Sequence, residues 1–212
     1  MADGVTLVLA GGGLSSLVAS ATVMARSRAP QIRMVYFNDH RTAAARRAEH
    51  ARLAGANWHI QHLIERNLPL RPVADADQPA SEATRAPLAT AQLLIMATAC
   101  AIEMHAERIV WAATSRGQFD AIARVTEQIE VAQTLARLEH DDAPSIETPL
   151  VELVDQQIIE LGAHMDVPWQ LSWSCLLNGE APCQVCVACR RRLDAFEAAG
   201  LVDPAQDAAG VR

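Results

Sequence analysis

Trp173-Ser174-Cys175, then Cys183-Gln184-Val185-Cys186-Val187-Ala188-Cys189, followed at once by Arg190-Arg191-Arg192, is the stretch that decides how the rest of the chain is read. Four of the five cysteines fall here, at spacing C-x7-C-x2-C-x2-C. Knuckle spacing of this kind turns thiolates inward on one tetrahedral ion, so Cys175, Cys183, Cys186 and Cys189 read as a structural zinc site. The alternative is a set of buried thiols or two disulfides. It suits the run poorly, because cysteines so close in sequence strain a bridge. Four thiolates fill the tetrahedral shell and leave no position for an activated water, so the metal is expected to hold the fold and not to carry chemistry.

Working outward, 212 residues suit one domain, or one domain with a small appendage. Half the residues are hydrophobic but only 4% are aromatic, which points to a helix-rich core with small residues at close contacts. The net charge of -7 argues against charge-driven binding of duplex nucleic acid or of an anionic membrane surface. No basic region with a following apolar run opens the chain, and no apolar stretch reaches spanning length. A cytoplasmic protein is expected, consistent with cysteines kept reduced for metal.

Val5 to Leu9 is a continuous apolar run of strand length, and it ends in Ala10-Gly11-Gly12-Gly13. Ser15 or Ser16 is expected to cap a helix carrying Leu17, Val18, Ala21 and Met24. Ile32 to Phe37 repeats the strand signal, Arg41 to Leu53 reads as a helix ending at Gly55, and Asn57 to His62 as a third strand. Asn67 to Pro87 is expected to be a long mobile loop. A helix from Leu88 to Met104 leads to a strand over Arg108 to Ala112, with Thr114 to Gly117 at its carboxyl end. Gln118 to Glu139 is helical by period, with Ile122, Val125, Ile129, Ala132 and Leu135 on one stripe. An extended connector, Ser145 to Leu150, precedes a helix over Val151 to Gly162, and a last short helix over Arg190 to Ala199 follows the cysteines. Alternating strands and helices give an α/β fold with a parallel sheet. The boundaries are 1–165 for a Rossmann-like domain, 166–204 for the zinc segment and 205–212 for a flexible tail.

Glycines between a strand and a helix let backbone approach an anion, and the helix start offers amides and a positive dipole end. Gly11, Gly12, Gly13, Ser15 and Ser16 are therefore the nucleotide-binding candidates. A tight turn with no ligand is the competing reading.

Val167 to Cys175, Gly179 to Gly200 and Asp203-Pro204 together closely resemble the C-terminal zinc segment of the 7-cyano-7-deazaguanine synthase family. Glu147-Thr148-Pro149-Leu150 resembles the family's connector, and Ala10 to Ser16 stands where its pyrophosphatase-type loop falls. The resemblance implies a Rossmann-like sheet of the adenine-nucleotide α-hydrolase type. It also implies ATP with magnesium as cofactors beside zinc, a homodimer or pairing with a paralogue, and a purine-like ligand, 7-carboxy-7-deazaguanine, converted with ammonia to the nitrile. Departures accompany it. Ala10 replaces a serine and Leu14 an aspartate of the family loop, and a leucine cannot ligate a hard cation. Asn38 to Arg41, Arg85 to Leu88 and Gln118 to Ile122 lack the family's motifs at those places, and Gln184 replaces a glycine. Three readings follow: a divergent enzyme with its acid near Ser115 to Asp120, a relic acting in binding or assembly, and a ligase repurposed to another carboxylate.

Ser115, Arg116 and Asp120 face the ligand edge by topology alone. The seven histidines lack metal spacing, Cys100 reads as a buried thiol, and Arg190 to Arg192 read either as a phosphate contact or as a basic end beside the thiolates.

Overall fold

The computed structural model describes residues 4–27, 31–68 and 88–204. Five parallel strands make one sheet: β1 (Val5–Leu9), β2 (Ile32–Asn38), β3 (Leu63–Asn67), β4 (Ala106–Val110) and β5 (Ser145–Glu147), in the order β3-β2-β1-β4-β5. Among the described residues, six α-helices accompany them: α1 (Leu14–Met24), α2 (Ala44–Asn57), α3 (Ala89–Glu103), α4 (Phe119–Arg137), α5 (Asp155–His164) and α6 (Val187–Ala198). The two-residue alternation of a strand separates the faces. Val8, Met34, Tyr36 and Val110 pack with Val18, Ala48, Ala51 and Ile158 of α1, α2 and α5. Leu7, Val35, Ile109 and Ile146 pack with Leu94, Ala97 and Ala101 of α3. Strand order reverses between β1 and β4, so the crevice beyond their carboxyl ends is the place where such a sheet takes a ligand.

The segment after α5 folds back onto that edge. A single 3-10 turn at Trp169–Leu171 sets Trp169 edge-on to Phe196, with ring centroids 5.2 Å apart. Ala195 and Phe196 of α6 bury against Ile159 of α5.

Several expected boundaries move, for reasons that are tertiary. Gly13 caps α1, and Ser16 lies inside the helix with its hydroxyl donating to the Gly13 carbonyl at 2.9 Å. Gly55 and Gly162 lie within helices and do not end them. A Cβ at Gly162 would stand 2.2 Å from Trp169 Cη2, so this glycine makes room for the indole. Because α2 runs on to Asn57, the third strand comes later than Asn57 to His62 and pairs as Met34 with Leu63. The fourth strand starts two residues earlier than Arg108. Ser145–Glu147 of the connector is a strand, and α5 starts at Asp155, later than Val151. α6 starts earlier than Arg190 because the Cys186 thiol accepts the Cys189 amide and caps it. On α4 only Ala132 of the expected stripe is buried, and Leu135 is half exposed. Most of the loop expected over Asn67 to Pro87 and the tail after Pro204 lie outside the described residues. Among the described residues, no helix is long and apolar enough to cross a membrane.

Candidate functional site

β1 delivers the chain to the sheet edge, where the amides of Ala10 and Gly11 are used internally, on Val35 O at 2.8 Å and Leu9 O at 3.1 Å. Gly12 then turns with φ +65, and a Cβ there would stand 2.0 Å from the Arg47 carbonyl oxygen. Both conditions demand glycine. The Gly12 carbonyl accepts the Trp173 amide at 2.8 Å. From Gly13 the chain enters α1, whose first internal bond is Leu17 N to Gly13 O at 3.1 Å and whose start has no side-chain cap. The amides of the first turn are the donors that a helix leaves without intrahelical partners. Gly11, Gly12, Gly13, Ser15 and Ser16 thus come together at the carboxyl end of β1. The two residues that depart from the family loop face inward. Ala10 is 3% exposed in the core, and Leu14 packs against the clusters of Ile158 and of Ile159 with Phe196.

The four cysteines converge: their sulfurs all lie within 4.8 Å of one another, Cys183 and Cys189 at 4.0 Å. Ligand bonds of about 2.3 Å around one tetrahedral ion put sulfurs about 3.8 Å apart, so the cluster fits a single ion after a small contraction. A cubane cluster, with each sulfur on a different iron, needs them wider. Backbone amides of Leu177 and Cys183 point at Cys175 Sγ, that of Cys186 at Cys183 Sγ, and that of Cys189 at Cys186 Sγ, at 3.4 to 3.5 Å. Such donors stabilise thiolates. Burial pushes the Cys175 and Cys189 thiols up. At Cys183 burial acts the same way, but the amides of Cys186 and Val185 and the thiols of Cys175 and Cys186 outweigh it and bring the group down to about 7. A bound cation would deprotonate all four. Trp173 closes the cluster on the sheet side, packed with Ala43, Cys175 and Cys189 under the Arg46 guanidinium, which lies 5.7 Å from its ring centroid.

The Arg190 to Arg192 run divides. Arg191 pairs with Asp155 at the start of α5. Arg192 is buried, doubly bonded to Asp203 at 2.8 and 2.9 Å and donating to Ser172 Oγ at 2.8 Å, so it ties down the segment after α6. Only Arg190 remains exposed. Ser115 is buried and its hydroxyl accepts the Gly117 amide at 3.1 Å, while Arg116 and Asp120 are exposed. His50 stacks near Trp173 at 5.6 Å between centroids, and burial lowers its pKa. Cys100 is a buried thiol, 3% exposed. A polar cleft of about 510 Å³ beside the carboxyl end of β2 is lined by Asn38, His40, Arg41, Thr42, Arg52 and Glu65. The sequence gives no spacing signal for it; its place at a strand's carboxyl end is the one available clue.

These features define a class: a Rossmann-like sheet of the adenine-nucleotide α-hydrolase type, with a glycine turn at its ligand edge and a four-cysteine cluster fit for a metal clasping that edge. The family model described as queuosine biosynthesis protein QueC matches residues 5–200. The chain belongs to the QueC family. It is 35% identical over 123 residues to the 7-cyano-7-deazaguanine synthase of Koribacter versatilis, covering 57% of this chain and 52% of the relative. It is 46% identical over 63 residues to that of Trichodesmium erythraeum, covering 30% and 28%. The matches thus span about half or less of these relatives' lengths. The fold is similar to that of the U34-tRNA thiolase NcsA from Methanococcus maripaludis, solved with its 4Fe-4S cluster, at TM-score 0.52 and 10% identity over 92% of this chain and 64% of that one.

Proposed function

We propose that this chain is a 7-cyano-7-deazaguanine synthase-type protein that takes a 7-deazaguanine carboxylate and, with ATP and ammonia, carries it through the amide to the nitrile. The observation that carries this reading is the family match over residues 5–200, within which the glycine turn and the cysteine cluster both keep their places. The chemistry needs activation, because a carboxylate is a poor electrophile. Transfer of adenylate from ATP to its oxygen releases pyrophosphate, ammonia then displaces AMP to give the amide, and a second adenylation lets the amide oxygen leave with AMP as the nitrile forms. In this chain the first-turn amides of α1 would receive phosphate oxygens. The metal is zinc in this proposal, on the sulfur-only tetrahedral donor set, and it serves folding alone. Residues 166–204 then form a zinc clip on the sheet domain, and the protein works in the cytoplasm, where its thiols stay reduced.

Leu14 favours a second reading. A leucine that packs on Phe196 and Ile159 supplies no oxygen to magnesium, and it suits a member that binds the ligand, or pairs with a second copy or an active paralogue, without adenylating. Pyrophosphate release from ATP with 7-carboxy-7-deazaguanine decides between them. A rate of about one per second or faster supports the enzyme. A thermal shift with the acid and no release supports the binding protein, and neither response removes the deazaguanine assignment.

A further inference from the structure

We infer that the outer face of α3, flanked by α4, is a docking surface for a second copy of this chain, with the two α3 helices antiparallel across a two-fold axis at Ile95. The surface lies on the opposite side of the sheet from α1, α2 and α5, so it serves an enzyme and a binding protein alike.

From Ala89 to Ile102, α3 carries no charged residue, in a chain where 20% of residues are charged. A helix that is apolar on every side is normally covered on every side. α3 is covered on one. Its inner face, with Leu94, Ala97, Cys100 and Ala101, is buried among Leu7, Val35 and Ile109 of the sheet. Its outer face stands open: Leu88 is 77% exposed and Ile95 51%, Ala99 is exposed, and Ala91 and Ile102 are half-buried. Leu88, Ile95 and Ile102 recur every seven residues, about two helical turns, and so stand in one row. Beside it α4 adds the exposed Val131, Leu135 and Leu138, at i, i+4 and i+7. The two helices pack side by side. With Ala132 turned to the sheet, right-handed crossovers put Val131 and Leu135 on the flank of α4 nearer α3.

The row of side chains selects its occupant, because about Ile95 it is its own antiparallel complement. Reversed on itself, it sets Leu88 against Ile102, Ala91 against Ala99 and Ile95 against Ile95. Large side chains meet at the centre and the ends, and small ones meet between them. A two-fold interface needs a patch that matches itself in this way. Charge points in the same direction. Two copies of a chain with net charge -7 repel, so they meet where neither presents a charge, and Glu103 at the end of the row is paired with Arg66 at 3.9 Å. A membrane surface fits less well, since helices that lie on one are rich in Lys and Arg along their polar side, and α3 has neither. Area sets the strength. Fifteen residues make α3 about 22 Å long, and two helices side by side are about 20 Å wide, a footprint of roughly 400 Å² in projection that side-chain relief enlarges. That approaches the low end of specific interfaces, about 600 Å² per partner, and fits a reversible dimer with a dissociation constant of about 1–10 μM.

The test is sedimentation velocity of the full-length, cysteine-metallated protein from about 1 to about 200 μM, a range that brackets this constant. The parent should pass from a 22.9 kDa monomer to a dimer as concentration rises. Ile95→Glu should weaken association about hundredfold or more, because it sets two carboxylates face to face on the axis, and Ile95→Lys should do the same. Mixed in equal parts, the two variants should pair again, a rescue that only a position facing its own copy gives. Leu88→Glu, at a more exposed position, should also weaken association, by setting a carboxylate against Ile102 of the second copy. Val202→Glu, 76% exposed after α6, should dimerise as the parent does. Both substituted positions on α3 are at least half exposed, so the monomers should keep the parent's circular dichroism. A parent that stays monomeric, or that binds phosphatidylcholine vesicles through this face in place of dimerising, overturns the docking surface. So does a dimer that Ile95→Glu and Leu88→Glu leave intact. A mixture of Ile95→Glu and Ile95→Lys that remains monomeric overturns the axis at Ile95.

Discussion

The amide of Trp173 donates to the carbonyl of Gly12 at 2.8 Å, a bond between the residue that leads into the cysteine cluster and the central residue of the glycine turn. Trp173 is 4% exposed and packs on Cys175 and Cys189, so the clasp and the turn share one set of contacts. Whatever holds the four sulfurs together also holds one wall of the ligand edge.

Removing the metal should therefore loosen the turn and not only the C-terminal quarter. In hydrogen exchange after chelation, peptides spanning Gly11–Ser16 are expected to lose protection together with those spanning Trp169–Cys189, while those of α4 and β5 stay protected. Cys183→Ser or Cys186→Ser should lower metal content and solubility together, since in small sites metal binding is folding free energy. Unchanged protection at Gly11–Ser16 in fully demetallated protein would break the link between clasp and turn.

Tyr36 is the one tyrosine of the chain, so phenolate absorbance reports on it alone. It is 3% exposed, and its hydroxyl donates to the Ala44 carbonyl at 2.8 Å. Burial first, and then the charge of Asp39, push its pKa from 10.0 up to about 12, against the opposing pull of Arg47 and Arg41. The raised value means that the folded state holds the proton more tightly than the unfolded chain. This stability is present in full below pH 10 and is lost as pH rises through about 12, by roughly 2–3 kcal/mol. Tyr36→Phe should flatten that alkaline loss, at a cost of about 1 kcal/mol near neutral pH for the missing hydrogen bond. Appearance of phenolate at pH 10 in folded protein contradicts the assignment.

Gln184 sits between two metal-ligand candidates with φ 60, where the resembled family has glycine. An L residue in that conformation is disfavoured by about 1–2 kcal/mol, while glycine enters it freely and gives back part of the gain as chain entropy. Gln184→Gly should raise the melting temperature by about 1–3 °C with metal content unchanged. A lower melting temperature would show that the Gln184 side chain supports the cluster more than its backbone strains it.

Local spacing made part of this molecule legible. The cysteine run lies within Cys175–Cys189 and the β1–glycine–α1 unit within Val5–Met24, and each strand is an apolar run of a few neighbouring residues. What escaped is what only packing decides. Gly55 approaches Met34 and Leu63, and Gly162 makes room for Trp169, so both look like helix stops in sequence, yet each lies inside the last turn of its helix and serves packing. The arginine run after Cys189 reads as a unit, yet neighbouring positions on a helix point apart, and Arg191 and Arg192 go to different acids.

Leu14 and Ala10 differ from the family loop in one direction, toward apolar groups that the core uses. Leu14 contacts the cluster of Phe196 and Ile159, which docks α6 on α5, and Ala10 is buried beside β1. Reinstating the loop as Ala10→Ser with Leu14→Asp therefore has two opposed effects. A carboxylate and a hydroxyl return the oxygen donors that magnesium requires, so ATP binding should become tighter and magnesium-dependent where the parent's is not. The same change removes apolar burial and places a carboxylate against an aromatic ring, which should destabilise the protein by about 2–4 kcal/mol and release protection along α6 first. Calorimetry with and without magnesium reads the first effect, and denaturant melts with hydrogen exchange on Val187–Ala198 read the second. If the double variant is as stable as the parent, Leu14 is not a strut for α6, and its presence in the loop has no packing explanation. If it is less stable and still indifferent to magnesium, the loop lacks a metal site for reasons beyond these two residues, and the first-turn amides of α1 are the whole of its anion chemistry.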